Sequence, residues 1–272
     1  MTFSITDIIN AYKELKKFRL SNNNEKHERF IFPFLCGSYF TYRKVDVVRI
    51  FTISKAISEN PTYLDVGCGY GDFLEKVREY IPTAEGIEKS AEIFYSIGRI
   101  KPDYIKIADA YNGIDRKYDI IFVGWMEPGV DYRDKIAESA PQCIITTLDQ
   151  GGQCGINGGC EFDGHGFEKI ASWITPSWID VNTELMNKYY TNNLKSKEIW
   201  ELKNLRGAHN LWYVYCKPQL KNKIKITLEK LRNKNIEEKY KHEEILDECG
   251  FGFNESIPSN SDIHLWDIKI EK

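Results

Sequence analysis

No disulfide framework is written into this chain. Its seven cysteines are an odd number, and none stands in a C-x-x-C pair. Cys68 falls in a glycine-rich turn, and Cys143 and Cys216 fall in apolar strand patterns. That is cysteine usage of a reducing compartment. Also missing is any uninterrupted apolar run of the roughly 18 residues that a membrane-spanning helix needs. Met1 to Leu20 mixes acids and lysines and lacks the apolar stretch of an export signal, so a cytoplasmic location is expected. Charge of one sign is not in excess: 37 Lys and Arg face 40 Asp and Glu, a net charge of −3. This argues against a bulk polyanion-binding role, and no DNA partner is expected. Internal repeats and low-complexity tracts are absent. What the chain does have is 272 residues, 42% hydrophobic and 13% aromatic, enough for a sizeable core.

The most informative segment is Tyr63-Leu64-Asp65-Val66-Gly67-Cys68-Gly69-Tyr70-Gly71-Asp72. An apolar strand end carries an acid, three alternating glycines follow, and a helical pattern begins at once. Glycines permit φ > 0 and let the backbone approach a ligand with no Cβ in the way. Backbone N–H groups at the following helix start can meet a carboxylate. A nicotinamide or flavin fold uses G-x-G-x-x-G after a plainly apolar strand. Here the third glycine comes one residue early, and Asp65 precedes the first by two. An acid there would repel a pyrophosphate and suits a ligand bearing an ammonium and a sulfonium.

Two further acids end the next strand patterns. Thr83 to Glu88 reads as a second short strand, with Glu88 one βαβ step after Asp65; Tyr104 to Ala110 reads as a third, ending in Asp109-Ala110. Each taken singly is also an ordinary turn acid. Three acids at three successive strand ends behind a glycine loop are much less easily explained so. In this arrangement the chain resembles the class I S-adenosylmethionine (SAM)-dependent methyltransferases. The resemblance covers about 60–217, with specific motifs in its first half. It implies a doubly wound, seven-stranded, mostly parallel α/β sheet that binds SAM and releases S-adenosylhomocysteine (SAH). By resemblance, Gly67, Cys68 and Gly69 pass under the methionine part, and Gly71 lets the next helix pack close. Glu88 would accept from the ribose hydroxyls, Asp109 from the adenine amino group, and the Ala110 N–H would meet the ring.

Strands are expected near 63–66, 84–88, 104–107, 118–123 and 142–148, with helices near 71–80, 90–99 and 131–139. Trp178 to Val181 is read as the sixth strand and Leu211 to Cys216 as the antiparallel seventh. Ahead of this core, residues 1–60 read as a cap: a helical stripe over 5–18, an aromatic-rich stretch over 28–43 and a helix near 44–58. Behind the core of 61–217 comes an extension, 218–272. It opens with a basic amphipathic stretch in which Lys217 to Lys241 holds nine Lys or Arg against three Glu. Leu220, Ile224, Leu228 and Leu231 share one helical face, which suits either packing on the chain's own domain or an anionic partner. Ile263 to Ile270 reads as a short strand around Trp266.

Methyl transfer from a sulfonium is an in-line displacement in which positioning does most of the work. A base is needed only where the nucleophile arrives protonated. The acceptor should enter beyond the fourth strand, at Gly124-Trp125-Met126-Glu127-Pro128. The N-P-P-Y or D-P-P-Y of several amino-methylating relatives is not found there. Gly124 and Trp125 are candidates to border the methionine moiety. Trp125 would wall the acceptor pocket or simply pack, and Glu127 would bind a cationic acceptor or simply be solvated. After the fifth strand, Asp149 to Phe167 carries seven glycines, which suits a lid or tight turns near a ligand. His165 in this loop is a candidate proton acceptor, or an exposed loop histidine. Cys154, Cys160 and His165 match no usual zinc spacing, so no metal is expected. The reading is a SAM-dependent methyltransferase with a small-molecule or lipid-like N or O acceptor. The alternatives are an RNA or protein methyltransferase docking through its basic helix, and a catalytically silent SAM-binding partner protein.

Overall fold

The computed structural model describes residues 4, 6–7, 9–11, 13, 17, 35–36, 38, 40–95, 98–127, 129–149, 160–185, 209–232, 238–258 and 260–272. Half of the stretch over 5–18 and most of the aromatic stretch over 28–43 lie outside these residues. So do Pro128, Cys154 and the glycines from Gly151 to Gly159. The chain divides into two compact units: 44–174 with 210–237 and 267–272, and 1–43 with 175–209 and 238–266.

The first of these units holds an eight-stranded sheet. Its strands are β1 (Tyr63–Val66), β2 (Glu85–Glu88), β3 (Ile105–Ile107), β4 (Ile120–Gly124), β5 (Cys143–Asp149), β6 (Glu168–Thr175), β7 (Asn210–Cys216) and β10 (Lys269–Ile270), while β8 (Ser256–Ile257) and β9 (Asn260–His264) pair elsewhere. The sheet order is β10-β6-β7-β5-β4-β1-β2-β3. β1 runs parallel to β2 and β4, β2 to β3, and β4 to β5. β7 is antiparallel to β5 from Cys143↔Cys216 to Asp149↔Asn210. Continuous burial of β1, and of β4 up to Gly124, fits strands covered on both faces. Strand order reverses between β1 and β4, so their carboxyl ends flank the crevice where ligands bind in open α/β sheets.

The fold class is the expected doubly wound one, with two differences. Trp178 to Val181 is not a strand. From residue 44 on, the helices among the described residues are α1 (Lys44–Ile57), α2 (Asp72–Arg78), α3 (Glu92–Tyr95), α4 (Arg133–Glu138), α5 (Trp178–Leu185), α6 (Lys221–Arg232) and α7 (Glu243–Glu248), and that segment opens α5. Ser177 and Asp180 form a reciprocal cap: Asp180 Oδ2 accepts from Ser177 N at 2.7 Å, and Ser177 Oγ accepts from Asp180 N at 3.2 Å. The sixth strand lies just before it, where Glu168 to Thr175 alternates in burial towards its end. The second difference is β10, which adds an antiparallel eighth strand to β6 through Ile270↔Ala171.

α1 packs against α6 and α2. Thus α1 and α6, placed by sequence in flanking segments, both belong to the sheet-bearing unit. Ile224, Leu228 and Leu231 of α6 are buried, so the apolar stripe of the basic helix is occupied by its own unit. Side chains from four elements form an aromatic row. Phe73 of α2 meets Phe122 of β4 at 5.0 Å, Phe122 meets Trp212 of β7 at 5.8 Å, and Trp212 stacks on Trp173 of β6 at 5.3 Å and 12°. The row ends on α1, where Trp173 Nε1 donates to Asp46 Oδ1 at 2.8 Å and Arg49 lies over the Trp173 ring. Burial pulls the Arg49 guanidinium down to about 10 against the opposing pull of Asp46 and Asp267.

In the second unit Arg43 is buried and donates to Asp247 Oδ1 and Phe251 O, both at 2.6 Å, with Glu243 at 3.5 Å and its guanidinium over Trp266. Trp178 Nε1 donates to Ser38 O at 3.2 Å. His209 Nδ1 lies 3.0 Å from Asp180 Oδ2, and that hydrogen bond raises its pKa. Among the described residues, no helix is long and apolar enough to cross a membrane.

Candidate functional site

β1 carries Asp65 to the crevice, and the chain then makes three glycine-dependent turns. Gly67, Gly69 and Gly71 take φ of +72°, +57° and +83°, which a Cβ would strain. The N–H groups of Gly67 and Cys68 donate to Ile87 O at 2.9 and 3.1 Å, tying the loop to β2. Gly71 heads α2 at a point where a Cβ would stand 2.6 Å from Ile105 Cδ1. Gly71→Ala is therefore expected to destabilise the fold by about 1–3 kcal/mol. Gly69→Ala, with φ +57° but nothing within 4 Å of its Cβ, is the control that carries backbone strain alone. Urea unfolding midpoints of the two variants separate contact from strain.

Three carboxylates follow from the three strand ends. Asp65 is 3% exposed, and no described residue donates a hydrogen bond to its side chain. Burial, with the Glu88 charge added, holds its pKa well above the usual carboxylate range. Glu88 ends β2, its Oε2 accepting from Gly69 N at 3.0 Å and its Oε1 from Lys89 N at 2.9 Å. Glu88 thus also braces the glycine loop, a role the sequence does not reveal. Asp109 follows β3 and caps the turn Ala110–Asn112, its Oδ1 accepting from Tyr111 N at 3.0 Å. Lys89 Nζ lies 4.0 Å from its Oδ2. Ala110 is buried beside it. Cys68 is held as a thiol, since burial and the Asp65 and Glu88 charges raise its pKa, and it is no nucleophile.

On the other side of the crevice, Gly124 ends β4 where a Cβ would sit 3.2 Å from the Phe122 ring. Trp125 has φ +45°, a strained value for a bulky residue, and its N–H donates to Thr147 O at 2.9 Å. It is half-buried against the core. Met126 turns inward, its N–H donating to Cys160 Sγ at 3.3 Å, while Glu127 is exposed. His165 Nδ1 lies 3.0 Å from Asp134 Oδ1 at the start of α4, and its ring meets Phe162 edge-on. Arg133 is committed elsewhere: it holds Asp131 through two nitrogens and donates to Glu161 O.

One residue that sequence reasoning passes over stands between the two sides. Tyr132 precedes α4, its ring set edge-on to Tyr111 at 6.0 Å. A Cβ at Gly67 would stand 3.9 Å from its hydroxyl oxygen, so the phenol reaches over the glycine loop. Burial first, then Cys160, Glu88, Asp65 and Asp109, push its pKa up and keep it protonated. Nothing in the stretch Val130-Asp131-Tyr132 marks it; its importance comes only from what the fold brings near.

No protein-family model matches the chain, and no curated protein matches its sequence. Similar solved structures include a candidate sarcosine dimethylglycine methyltransferase from Galdieria sulphuraria, at 11% identity over 64% of this chain and 84% of that one, TM-score 0.45. The N-methyltransferase NodS from Bradyrhizobium japonicum, solved with SAH, shares 14% over 77% of this chain and 99% of its own, TM-score 0.42. A SAM-dependent O-methyltransferase from Thermotoga maritima shares 17% over 62% and 64%, TM-score 0.38.

Proposed function

We propose that this chain is a SAM-dependent methyltransferase acting on a small-molecule or lipid-like N or O acceptor. The observation that carries the reading is Asp65: a buried carboxylate with no donor among the described residues, beneath a three-glycine loop, with Glu88 and Asp109 at the next two strand ends. A buried charge without a partner is costly. A ligand with an ammonium relieves that cost, and one with ribose hydroxyls and an exocyclic amine supplies donors to the other two carboxylates. A pyrophosphate would add charge beside the Glu88 and Asp109 carboxylates and bring no cation to Asp65. The residues therefore fit SAM, which when bound supplies a methyl group on a sulfonium.

In this reading Asp65 holds the ammonium, Glu88 the ribose hydroxyls and Asp109 the adenine amino group, with Gly67, Cys68, Gly69 and Gly71 shaping the backbone and Ala110 beside the ring. Gly124 and Trp125 border the side from which the acceptor comes. Asp134 orients His165 through Nδ1, leaving Nε2 to take a proton where the acceptor is a hydroxyl. Glu127 at the exposed rim suits a cationic acceptor. The test is calorimetric titration of the purified chain with SAM and with SAH. Micromolar binding, weakened at least tenfold by Glu88→Ala (about 1.4 kcal/mol), is the expected result. Failure of the wild-type chain to bind either ligand would overturn the reading.

A further inference from the structure

We infer that the Tyr132 hydroxyl oxygen faces the sulfonium of the bound cofactor and is the group by which this site prefers charged SAM to neutral SAH. The inference rests on the methyltransferase reading and adds a residue with a distinct role to it. Three observations carry it. The oxygen stands over Gly67, the first glycine of the loop. Asp65, Glu88 and Asp109, which that reading assigns to the ammonium, the ribose and the adenine, all lie within electrostatic reach of it. Its place over Gly67 sets it beside the loop that the reading passes under the methionine part, which carries the sulfonium. Finally, the hydroxyl has no hydrogen-bond partner among the described residues. The ring is held by Tyr111 and by a core that includes Ile87, Ala110, Cys160 and Phe162, so the oxygen's place is fixed by packing.

The chemistry favours a neutral oxygen here. The sulfonium loses its charge as the methyl leaves, so a fourth carboxylate would hold the starting state too firmly. A phenol that stays protonated adds a dipole without adding a charge. A hydroxyl oxygen keeps its lone pairs whichever way its proton turns, and these are left for the cation and for C–H groups on it, contacts that are weak singly. A thioether offers neither charge nor polarised C–H groups, so the contact acts on SAM and hardly on SAH.

The experiment compares wild-type and Tyr132→Phe proteins by calorimetric titration with SAM, with SAH and with an aza analogue of SAM carrying a protonated amine in place of the sulfonium. The phenylalanine keeps the ring and its packing, and circular dichroism melting verifies that the variant is folded. The expected result is about a five- to tenfold loss of affinity for SAM and for the aza analogue, with SAH changed less than twofold. Equal losses for all three ligands would show a merely structural role, and no loss for any would show no contact; either overturns the inference. Wild-type protein that binds none of the three ligands would instead remove the methyltransferase reading on which it stands.

Discussion

Asp65→Asn is expected to raise the stability of the ligand-free protein and to lower its affinity for SAM by about a hundredfold (~2.7 kcal/mol). Both effects come from one carboxylate. Burial and the Glu88 charge raise its folded-state pKa well above the unfolded value of about 3.9. Between those two values the folded state binds more protons than the unfolded one, so stability falls as pH rises through that window. Below about pH 4 both states are protonated and the penalty vanishes. Asparagine cannot ionise, so its advantage over aspartate should be absent in acid and should grow towards neutral pH. Urea midpoints from pH 4 to 8 would trace this growth. Saturating SAM should then reverse the ranking, because a ligand stabilises only the state that binds it. An Asn variant that is less stable at neutral pH and still binds SAM normally would contradict the role given to Asp65.

Trp212→Ala is expected to produce the largest loss of stability, about 3–5 kcal/mol. Its ring is fully buried on β7 and touches Phe73, Phe122 and Trp173. Aromatic contacts of this kind add about 0.5–1.5 kcal/mol beyond the area they bury. Removing the ring also opens a cavity at the middle of the row that links α2, β4, β7 and β6. Trp212→Phe should cost markedly less. The check is the urea unfolding midpoint of each variant at unchanged slope. A Trp212→Ala loss near 1 kcal/mol would mean that the row collapses to fill the gap.

The first half of the fold can be read from sequence because its signals are local. The glycines at 67, 69 and 71 need positive φ, and the structure gives it to them. Asp65, Glu88 and Asp109 sit where the chain leaves its apolar strands, and the structure places them in or just after adjacent parallel strands. The second half is harder because short apolar runs do not declare their period. Trp-Ile-Asp-Val at 178–181 reads as a strand by composition. Its capping partner Ser177 lies one residue outside that run, and the Ser177–Asp180 exchange caps the segment as the start of a helix. Glu88 shows the opposite case: its position is legible, but its grip on Gly69 N is a tertiary fact. Tyr132 lies beyond sequence reasoning altogether, since a tyrosine ahead of a helix is unremarkable until Gly67 is folded beneath it. His165 is legible as a candidate, while its partner Asp134 comes from a different element.

The interleaving of the two units bears on how fast the chain reaches its native state. The sheet-bearing unit is cut by 175–209 and again by 238–266 before its last strand joins. β7 must find β5 across all of 150–209, and β10 must find β6 from beyond 238–266. Neither pairing is available to a sheet that zips from one neighbour to the next. Closing such long loops costs chain entropy before any contact is gained, and the cost per loop grows with the logarithm of its length. The parallel run β3-β2-β1-β4-β5 can form early, leaving the exposed edge of β5 waiting for its antiparallel partner. High contact order of this kind slows folding, and the open edge of β5 is where a partly folded chain would be most prone to pair with another copy.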